Sequence, residues 1–158
     1  MTEKKLKERK ERITKLDREL KKVFPVARIE LDYSNPWELF VAVVLSAQST
    51  DKKVNEITEK LFQKYKKLDD YVNAKQVEFE KDIKQSGFYR NKAKSILSSA
   101  KIIKKDFGGK VPKTMDEILS LPGIARKSGN VILGSAYGVV EGIGVDTHVM
   151  RLSQKFDL

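Results

Sequence analysis

The chain has 158 residues, of which 40% are hydrophobic and 34% are charged, so it fits one ordinary domain with a modest apolar core. Lysine and arginine number 32 against 22 aspartate and glutamate residues, and the net charge of +10 indicates either a polyanionic partner such as nucleic acid or a lysine-rich soluble surface. The absence of cysteine excludes disulfides, thiolate metal sites and thiol catalysis, and a single histidine excludes a metal cluster built on histidine.

An amphipathic helix and a hydrophobic helix are predicted first. The amphipathic helix has lysines and arginines on one side and, on the other, apolar residues at helical spacing, which are Leu6, Ile13, Leu16, Leu20 and Phe24. Asn35 and Pro36 predict the cap and first turn of the hydrophobic helix, WELFVAVVLSAQS, which is apolar nearly all round. We therefore expect this second helix at the centre of a helical bundle.

Several further helices follow in the prediction. One helix begins at Asp51, and two shorter segments near 67–74 and 76–84 follow it. After a break at QSGFY, the next helix occupies RNKAKSILSSAKIIKKDFGG. Thr114 and Glu117 have the spacing of a capping box, which predicts a short helix in TMDEILSL. Only RIELDY and GIGV look extended, which is too little for a β-sheet.

A tight turn joins two predicted helices in LPGIARKSGNVILGSAYG. The N–H groups of the second helix point outward at its positive end, which favours a phosphate there, and a basic neighbour adds to the attraction. An ordinary helix–helix connection is the alternative, because a Pro-Gly turn is common in both settings. The candidate phosphate-binding residues are Leu121, Pro122, Gly123, Ile124, Ala125 and Arg126.

Lys127 and Asp146 both fall at the starts of predicted helices. Lys127 lies in the first turn after the hairpin, where the helix dipole and Arg126 disfavour a second positive charge and so favour a neutral, nucleophilic amine. Asp146 is predicted to cap the last helix, VDTHVMRLSQKF, where backbone N–H groups keep a carboxylate ionised. A plain N-cap is the alternative for Asp146, and the nearby His148 is expected to be a packing or orienting residue.

Three separated motifs resemble, in order and spacing, the helix-hairpin-helix DNA glycosylase superfamily. They are YSNPWELFVAVVLSAQSTDKKVNEITEKLF, IKQSGFYRNKAKSI, and LPGIARKSGNVILGSAYG followed by VDTH. The likeness is greatest to the endonuclease III branch and covers roughly residues 10–158. It implies an all-α fold, with a six-helix-barrel-like domain at 30–138, its helix-hairpin-helix at about 115–137, and a partial second helical layer formed by 1–29 and 139–158.

The resemblance also implies roles for individual residues. The hairpin grips the DNA backbone, Lys127 is the nucleophile, and Asp146 assists it. Gln48 fills the space that a flipped base leaves in the duplex, and Phe88 enters the same space as a wedge from the other side. The alternatives are a capping or loop amide for Gln48 and a buried core aromatic for Phe88. His148 joins the hairpin residues as a candidate DNA contact.

The implied activity is that of a bifunctional DNA glycosylase and abasic-site lyase of base excision repair. Such an enzyme acts on double-stranded DNA, removes oxidised pyrimidines and cleaves abasic sites by β-elimination through a lysine Schiff base, with no metal or redox cofactor in the reaction. One alternative is a truncated, weakly active or inactive helix-hairpin-helix DNA-binding module. Another is a basic helical interaction protein without a DNA role.

The hydropathy of the sequence indicates where the protein is located and whether it associates with a membrane. No apolar run approaches the roughly 20 residues of a membrane span, so we expect a cytoplasmic protein, associated with the nucleoid if prokaryotic, and no membrane partner. We expect a monomer, with self-association through exposed apolar surface as the alternative.

The sequence departs from the family pattern in two places. Ala125 stands where many members carry a second hairpin glycine, and an alanine would be strained if residue 125 needs a positive φ. The family's second domain normally continues past the VDTH helix and, in many members, ends with four cysteines that bind an iron–sulfur cluster. Because this chain has no cysteine, we expect no such cluster.

Overall fold

The computed structural model describes residues 2–158, and within that range it contains helices, turns and loops but no strand. The predicted all-α fold is confirmed, and RIELDY and GIGV, which look extended in the sequence, form loops. In chain order the helices are α1 (Glu3–Val23), α2 (Pro36–Ser46), α3 (Asp51–Lys64), α4 (Leu68–Val72), α5 (Gln76–Asp82), α6 (Tyr89–Asp106), α7 (Met115–Leu119), α8 (Arg126–Tyr137) and α9 (Thr147–Phe156), with a 3₁₀ turn at Lys84–Ser86.

These helices divide into two compact units. The larger unit, Glu30–Gly144, contains α2 to α8, and the smaller one combines α1, in the segment that ends at Ile29, with α9, in Val145–Leu158. The larger unit therefore extends six residues past the boundary at 138 that the sequence suggests.

The segment after α8 stays in the larger unit because it packs on that helix. Asn130 Nδ2 donates to Ile143 O at 3.3 Å. Gly144 approaches α8 so closely that a Cβ on it would lie 3.2 Å from Val131 Cγ2. Neither contact could be foreseen from the sequence, because both depend on tertiary packing between the loop and α8.

Helix α2 lies at the centre of the larger unit, as its apolar sequence predicts, and packs against α3, α6 and α8. Asn35 caps it by accepting from Glu38 N at 3.0 Å, and Pro36 occupies its first position. Its buried residues are Leu39, Phe40, Val41, Ala42, Val43, Val44 and Leu45. Because each large buried side chain contributes roughly 1.5–3 kcal/mol, this core fixes the position of the turn that carries Gln48.

An aromatic cluster holds the shorter helices together. The ring centroids of Tyr65 and Tyr71 are 5.2 Å apart, and those of Tyr71 and Phe79 are 5.8 Å apart. The Tyr65 hydroxyl donates to Asp82 Oδ2 at 2.8 Å, and burial together with Asp82 raises the pKa of Tyr65 to about 12. These contacts anchor the end of α5, just before the turn that leads to Phe88.

The smaller unit is sparsely packed. No side chain of α1 or α9 is buried. Arg9 Nη2 donates to Asp157 Oδ1 at 3.0 Å and Arg12 Nη2 donates to Asp157 Oδ2 at 2.8 Å, which joins α1 to the end of α9. Between 40% and 46% of the surface remains exposed at Leu6, Ile13, Leu20, Leu152 and Phe156.

Candidate functional site

Helices α7 and α8 and the turn between them form the predicted helix-hairpin-helix. Thr114 caps α7: its hydroxyl accepts from Glu117 N at 3.4 Å, as the capping-box spacing predicts, and donates to Glu117 Oε2 at 2.7 Å. In the turn, Leu121 is buried and its carbonyl accepts from Ile124 N at 3.3 Å. The hairpin is therefore anchored in the core of the larger unit.

Gly123 is required in this turn for two reasons. Its φ of +86° lies in the left-handed region, and a Cβ would lie 2.9 Å from both Cβ and Oγ of Ser95 on α6. Ser99, one turn further along α6, donates from its hydroxyl to Pro122 O at 3.3 Å. The hairpin turn is thus seated directly on α6.

Ala125 has an extended backbone, with φ −110° and ψ 169°, as the N-cap of α8. The strain that the missing second glycine suggests is therefore absent, because Gly123 is the residue of the turn that takes the positive φ. Alanine offers no side-chain acceptor, whereas side chains cap α2, α3, α7 and α9. The N–H groups of the first turn of α8 therefore have no side-chain cap, and such uncapped groups can bind an anion.

Arg126 and Lys127 are exposed at the first two positions of α8. The other side of the same helix is buried against α7, where a Cβ on Gly129 would lie 2.9 Å from Met115 Sδ. Lys127, two positions before Gly129, therefore lies on the side of α8 away from α7, and Arg126 is exposed at the first position of the helix, so both basic side chains lie next to the uncapped N–H groups. That arrangement suits a phosphate contact beside an accessible amine.

Gln48 and Phe88 are exposed residues with left-handed backbones. Their φ angles are +55° and +47°, a conformation that costs of order 1–3 kcal/mol outside glycine. Phe88 is 65% exposed at the N-cap of α6, so its interpretation as a buried core aromatic is wrong. Gln48 lies in the turn that follows α2.

Gln48, Phe88 and Gly123 are far apart in sequence but line the same cleft. The cleft has a volume of about 250 Å³, and its other lining residues are Val44, Ala47, Asn91, Lys92 and Ser95. The end of α2, the start of α6 and the hairpin therefore meet at one face of the larger unit.

Asp146 and His148 belong to the smaller unit. Asp146 Oδ1 accepts from Val149 N at 2.8 Å and caps α9, as the sequence predicts. An N-cap favours the ionised carboxylate because N–H donors and the helix dipole face it. His148 is exposed at the second position of α9, which excludes a packing role and leaves its ring accessible.

Known proteins show which family this chain belongs to. Residues 41–158 match the HhH-GPD superfamily of base excision DNA repair proteins. The chain belongs to this family. Within it, endonuclease III of Synechocystis sp. is 46% identical over 154 residues, which cover 98% of this chain and 70% of that protein. Endonuclease III of Bacillus subtilis is 51% identical over 136 residues, which cover 86% of this chain and 62% of that protein.

A solved structure of another family member has the same fold. It is a trapped endonuclease III–DNA covalent intermediate, an estranged-adenine complex, with 45% identity and a TM-score of 0.85. The superposition covers 91% of this chain and 67% of that one. This HhH-GPD chain thus spans between about three fifths and seven tenths of the relatives compared.

Lys92 is a residue of the cleft that sequence reasoning missed. It is only 6% exposed, and its Nζ donates to Leu45 O at 2.8 Å and to Ser86 O at 2.7 Å. Burial lowers its pKa below the usual value for lysine. The available signal was its spacing of four from Ile96, which places it on the inward face of α6 with the buried Ala93.

Within residues 2–158, no group of three or more His, Asp, Glu or Cys side chains is placed to hold a metal ion. The sequence contains no cysteine, so its residues do not fit an iron–sulfur cluster. Over the same described range, every helix is too short or too polar to cross a membrane.

Proposed function

We propose that this HhH-GPD protein is a bifunctional DNA glycosylase and abasic-site lyase that acts on oxidised pyrimidines and abasic sites in double-stranded DNA. The observation that carries the proposal is the exposed Lys127 in the uncapped first turn of α8, directly after the hairpin. An amine in this place lies beside a phosphate-binding helix terminus, where the sugar of a bound nucleotide is within reach.

Binding to DNA is proposed through the hairpin. The N–H groups of α8 and the Arg126 guanidinium meet one backbone phosphate, and the net charge of +10 adds a sequence-independent attraction. Leu121 and Gly123 shape the turn that brings the backbone close to the phosphate.

Gln48 and Phe88 are proposed to replace a flipped nucleotide. Both side chains are exposed and line one cleft, which supports their entry into a duplex from the same face of the protein. The Gln48 amide has both a donor and an acceptor for the partner base, and the Phe88 ring replaces lost stacking.

The proposed chemistry uses the amine of Lys127. Its nitrogen attacks C1′ of the sugar, the glycosidic bond breaks, and the base leaves with the bonding electrons and is protonated. Transfer of a proton from the nitrogen to O4′ breaks the C1′–O4′ bond, opens the sugar ring and gives a protonated Schiff base. Loss of a proton from C2′ then drives β-elimination, in which the C3′–O bond breaks and the 3′ phosphate leaves with the bonding electrons. Asp146 is proposed to stabilise the positive charge that develops at C1′. This route requires neither a metal ion nor a redox cofactor.

Borohydride trapping tests the proposal. The wild-type protein is expected to become covalently attached to a duplex with an abasic site, because borohydride reduces the Schiff base to a stable amine. Lys127→Ala should abolish trapping, whereas Lys101→Ala, which removes an exposed lysine from α6, should retain it. Wild-type protein that binds the duplex without being trapped would refute the lyase and favour a DNA-binding module.

A weakly active or inactive DNA-binding module is the second candidate. One observation favours it: Asp146 belongs to a unit whose helices bury no side chain, and a sparsely packed unit holds a catalytic carboxylate less firmly. Such a module would bind abasic DNA through the hairpin but release no damaged base.

A further inference from the structure

The buried Lys92 connects the two turns that carry Gln48 and Phe88. Its ammonium group donates to Leu45 O, three residues before Gln48, and to Ser86 O, two residues before Phe88. The two bonds measure 2.8 and 2.7 Å, which is short for an N–H donor and typical of a charged one. A single side chain therefore fixes the distance between the end of α2 and the turn into α6.

Lys92 occupies an unusual position for a lysine. Its side chain is 6% exposed, and no carboxylate among residues 2–158 forms an ion pair with it. A buried ammonium group that only carbonyls compensate is costly, and burial lowers its pKa accordingly. The Leu45 carbonyl lies in the last turn of α2, where the helix dipole favours a cation.

The two connected turns are also the strained ones. Among the described residues other than glycine, positive φ occurs at Gln48, Phe88 and Asp157, and the first two lie beside the Lys92 bridge. Strained backbones persist only where surrounding contacts determine them. The bridge supplies such a contact to each turn at once.

We propose that Lys92 is a positioning residue that holds Gln48 and Phe88 in a fixed relative arrangement, so that both enter the duplex together when a base is flipped. The part that concerns DNA rests on the proposed function. Lys92 itself touches no reacting atom: it acts through the two turns, from the floor of the cleft that they line.

The first experiment compares Lys92→Met, which keeps the length of the side chain but cannot donate, with Lys101→Met, which removes one exposed positive charge from the same helix. Hydrogen exchange should rise about tenfold or more in both segments 46–50 and 86–90 of Lys92→Met, and in neither segment of Lys101→Met. Residues 126–137 of α8 should keep their protection in both variants.

The second experiment measures the consequence for DNA. With 2-aminopurine beside the lesion, Lys92→Met should lose most of the fluorescence rise that reports unstacking. Its kcat/KM for base release should fall about tenfold or more, while its Kd for undamaged duplex changes less than about twofold. A merely structural defect would change both constants together.

A chemical rescue provides the decisive control. The chain has no cysteine, so Lys92→Cys carries a single thiol that 2-bromoethylamine converts, in the unfolded protein, into a lysine analogue. After refolding, aminoethylation should restore protection in both turns and the 2-aminopurine signal. If Lys92→Met does not fold, Lys92→Gln, whose shorter amide reaches one carbonyl at most, should still loosen one of the two segments.

The outcomes separate this inference from the proposed function. Unchanged exchange in 46–50 and 86–90 of folded Lys92→Met would overturn the inference, as would rescue of exchange without rescue of the unstacking signal. Failure of the wild-type protein to be trapped by borohydride would instead overturn the proposed function. In that case the exchange experiment would still decide whether Lys92 positions the two turns.

Discussion

The two units of this protein cover their apolar residues to different extents. Helix α2 buries seven consecutive residues, whereas α1 and α9 bury none, although both have apolar residues at helical spacing. Leu39 is fully buried and Leu20 is 46% exposed. An amphipathic stripe thus predicts a helix and the face it turns inward, but not how much of that face is covered.

The difference extends to what holds each unit together. In the larger unit, buried side chains, the aromatic cluster and side-chain helix caps act together. The smaller unit depends visibly on exposed ion pairs between Arg9, Arg12 and Asp157. Because exposed ion pairs contribute little to stability, we expect the smaller unit to open first.

The largest expected effect compares one leucine from each unit. Leu39→Ala removes a fully buried side chain and should lower the free energy of unfolding by about 2–5 kcal/mol. Leu20→Ala makes the same chemical change where the side chain is half exposed, and should cost less than about 1 kcal/mol. Urea denaturation followed by circular dichroism gives both values. Equal losses would show that α1 is as firmly packed as α2.

A smaller effect is expected on catalysis when the carboxylate of the smaller unit is neutralised. Asp146→Asn keeps the size of the side chain and a capping oxygen for Val149 N but removes the charge. Base release should slow about tenfold or more, while the Kd for DNA changes little, if the charge acts on the transition state as proposed. Cleavage of ready-made abasic sites should be affected less, since an aldehyde needs less activation than a glycosidic bond.

Single-turnover rates on both substrates test the role of Asp146. Thr147→Ala, an exposed change at the next position, is the control for disturbance of the start of α9. If Asp146→Asn releases damaged base at the wild-type rate, its carboxylate is only a helix cap.

The hairpin of the larger unit gives a prediction on binding alone. Arg126→Ala should weaken binding to every duplex about equally and change the slope of log Kd against log salt by about one, because one phosphate contact is lost. Fluorescence anisotropy between 50 and 200 mM salt is a suitable range for this measurement. A slope that does not change would mean that Arg126 does not touch the DNA backbone.

Sequence reasoning predicted the helices and their caps well, for physical reasons that act locally. Asn35, Thr114 and Asp146 each cap a helix by accepting from the backbone N–H three positions ahead, so the residue type and spacing suffice to identify them. The larger compact unit ends at Gly144, six residues after the boundary that the sequence suggests, because the contact of Asn130 with the loop after α8 depends on tertiary packing.

The candidate site was predicted less completely. The motif resemblance pointed to Gln48, Phe88 and the hairpin, which line one cleft, but exposure of Phe88 could not be distinguished from burial in an apolar neighbourhood. The sequence leaves open which residue of the turn takes a positive φ, and the structure assigns it to Gly123, so the turn tolerates Ala125. Lys92 was missed because lysine side chains are almost always exposed to solvent, so a buried one is not expected from the sequence.

The smallest expected effect concerns the ion pairs of the smaller unit. The hydrogen bond from Arg9 and the charge of Arg12 hold the pKa of Asp157 below its usual value of 3.8. A carboxylate with a depressed pKa stabilises the folded state above its unfolded pKa, and this contribution disappears as the pH falls through the folded pKa. Protection of α1 and α9 from hydrogen exchange should therefore weaken on acidification below about pH 4.

Asp157→Asn isolates this effect, since asparagine tolerates the left-handed φ of +49° at this position but carries no charge. At pH 7 the variant should show slightly faster exchange in α1 and α9 than the wild-type protein, with α2 unchanged. At pH 3, after correction for intrinsic exchange rates, the difference between the two proteins should shrink, because the wild-type carboxylate is then partly protonated. A difference that persists at low pH would assign the stabilisation to the backbone conformation of residue 157 and not to its ion pairs.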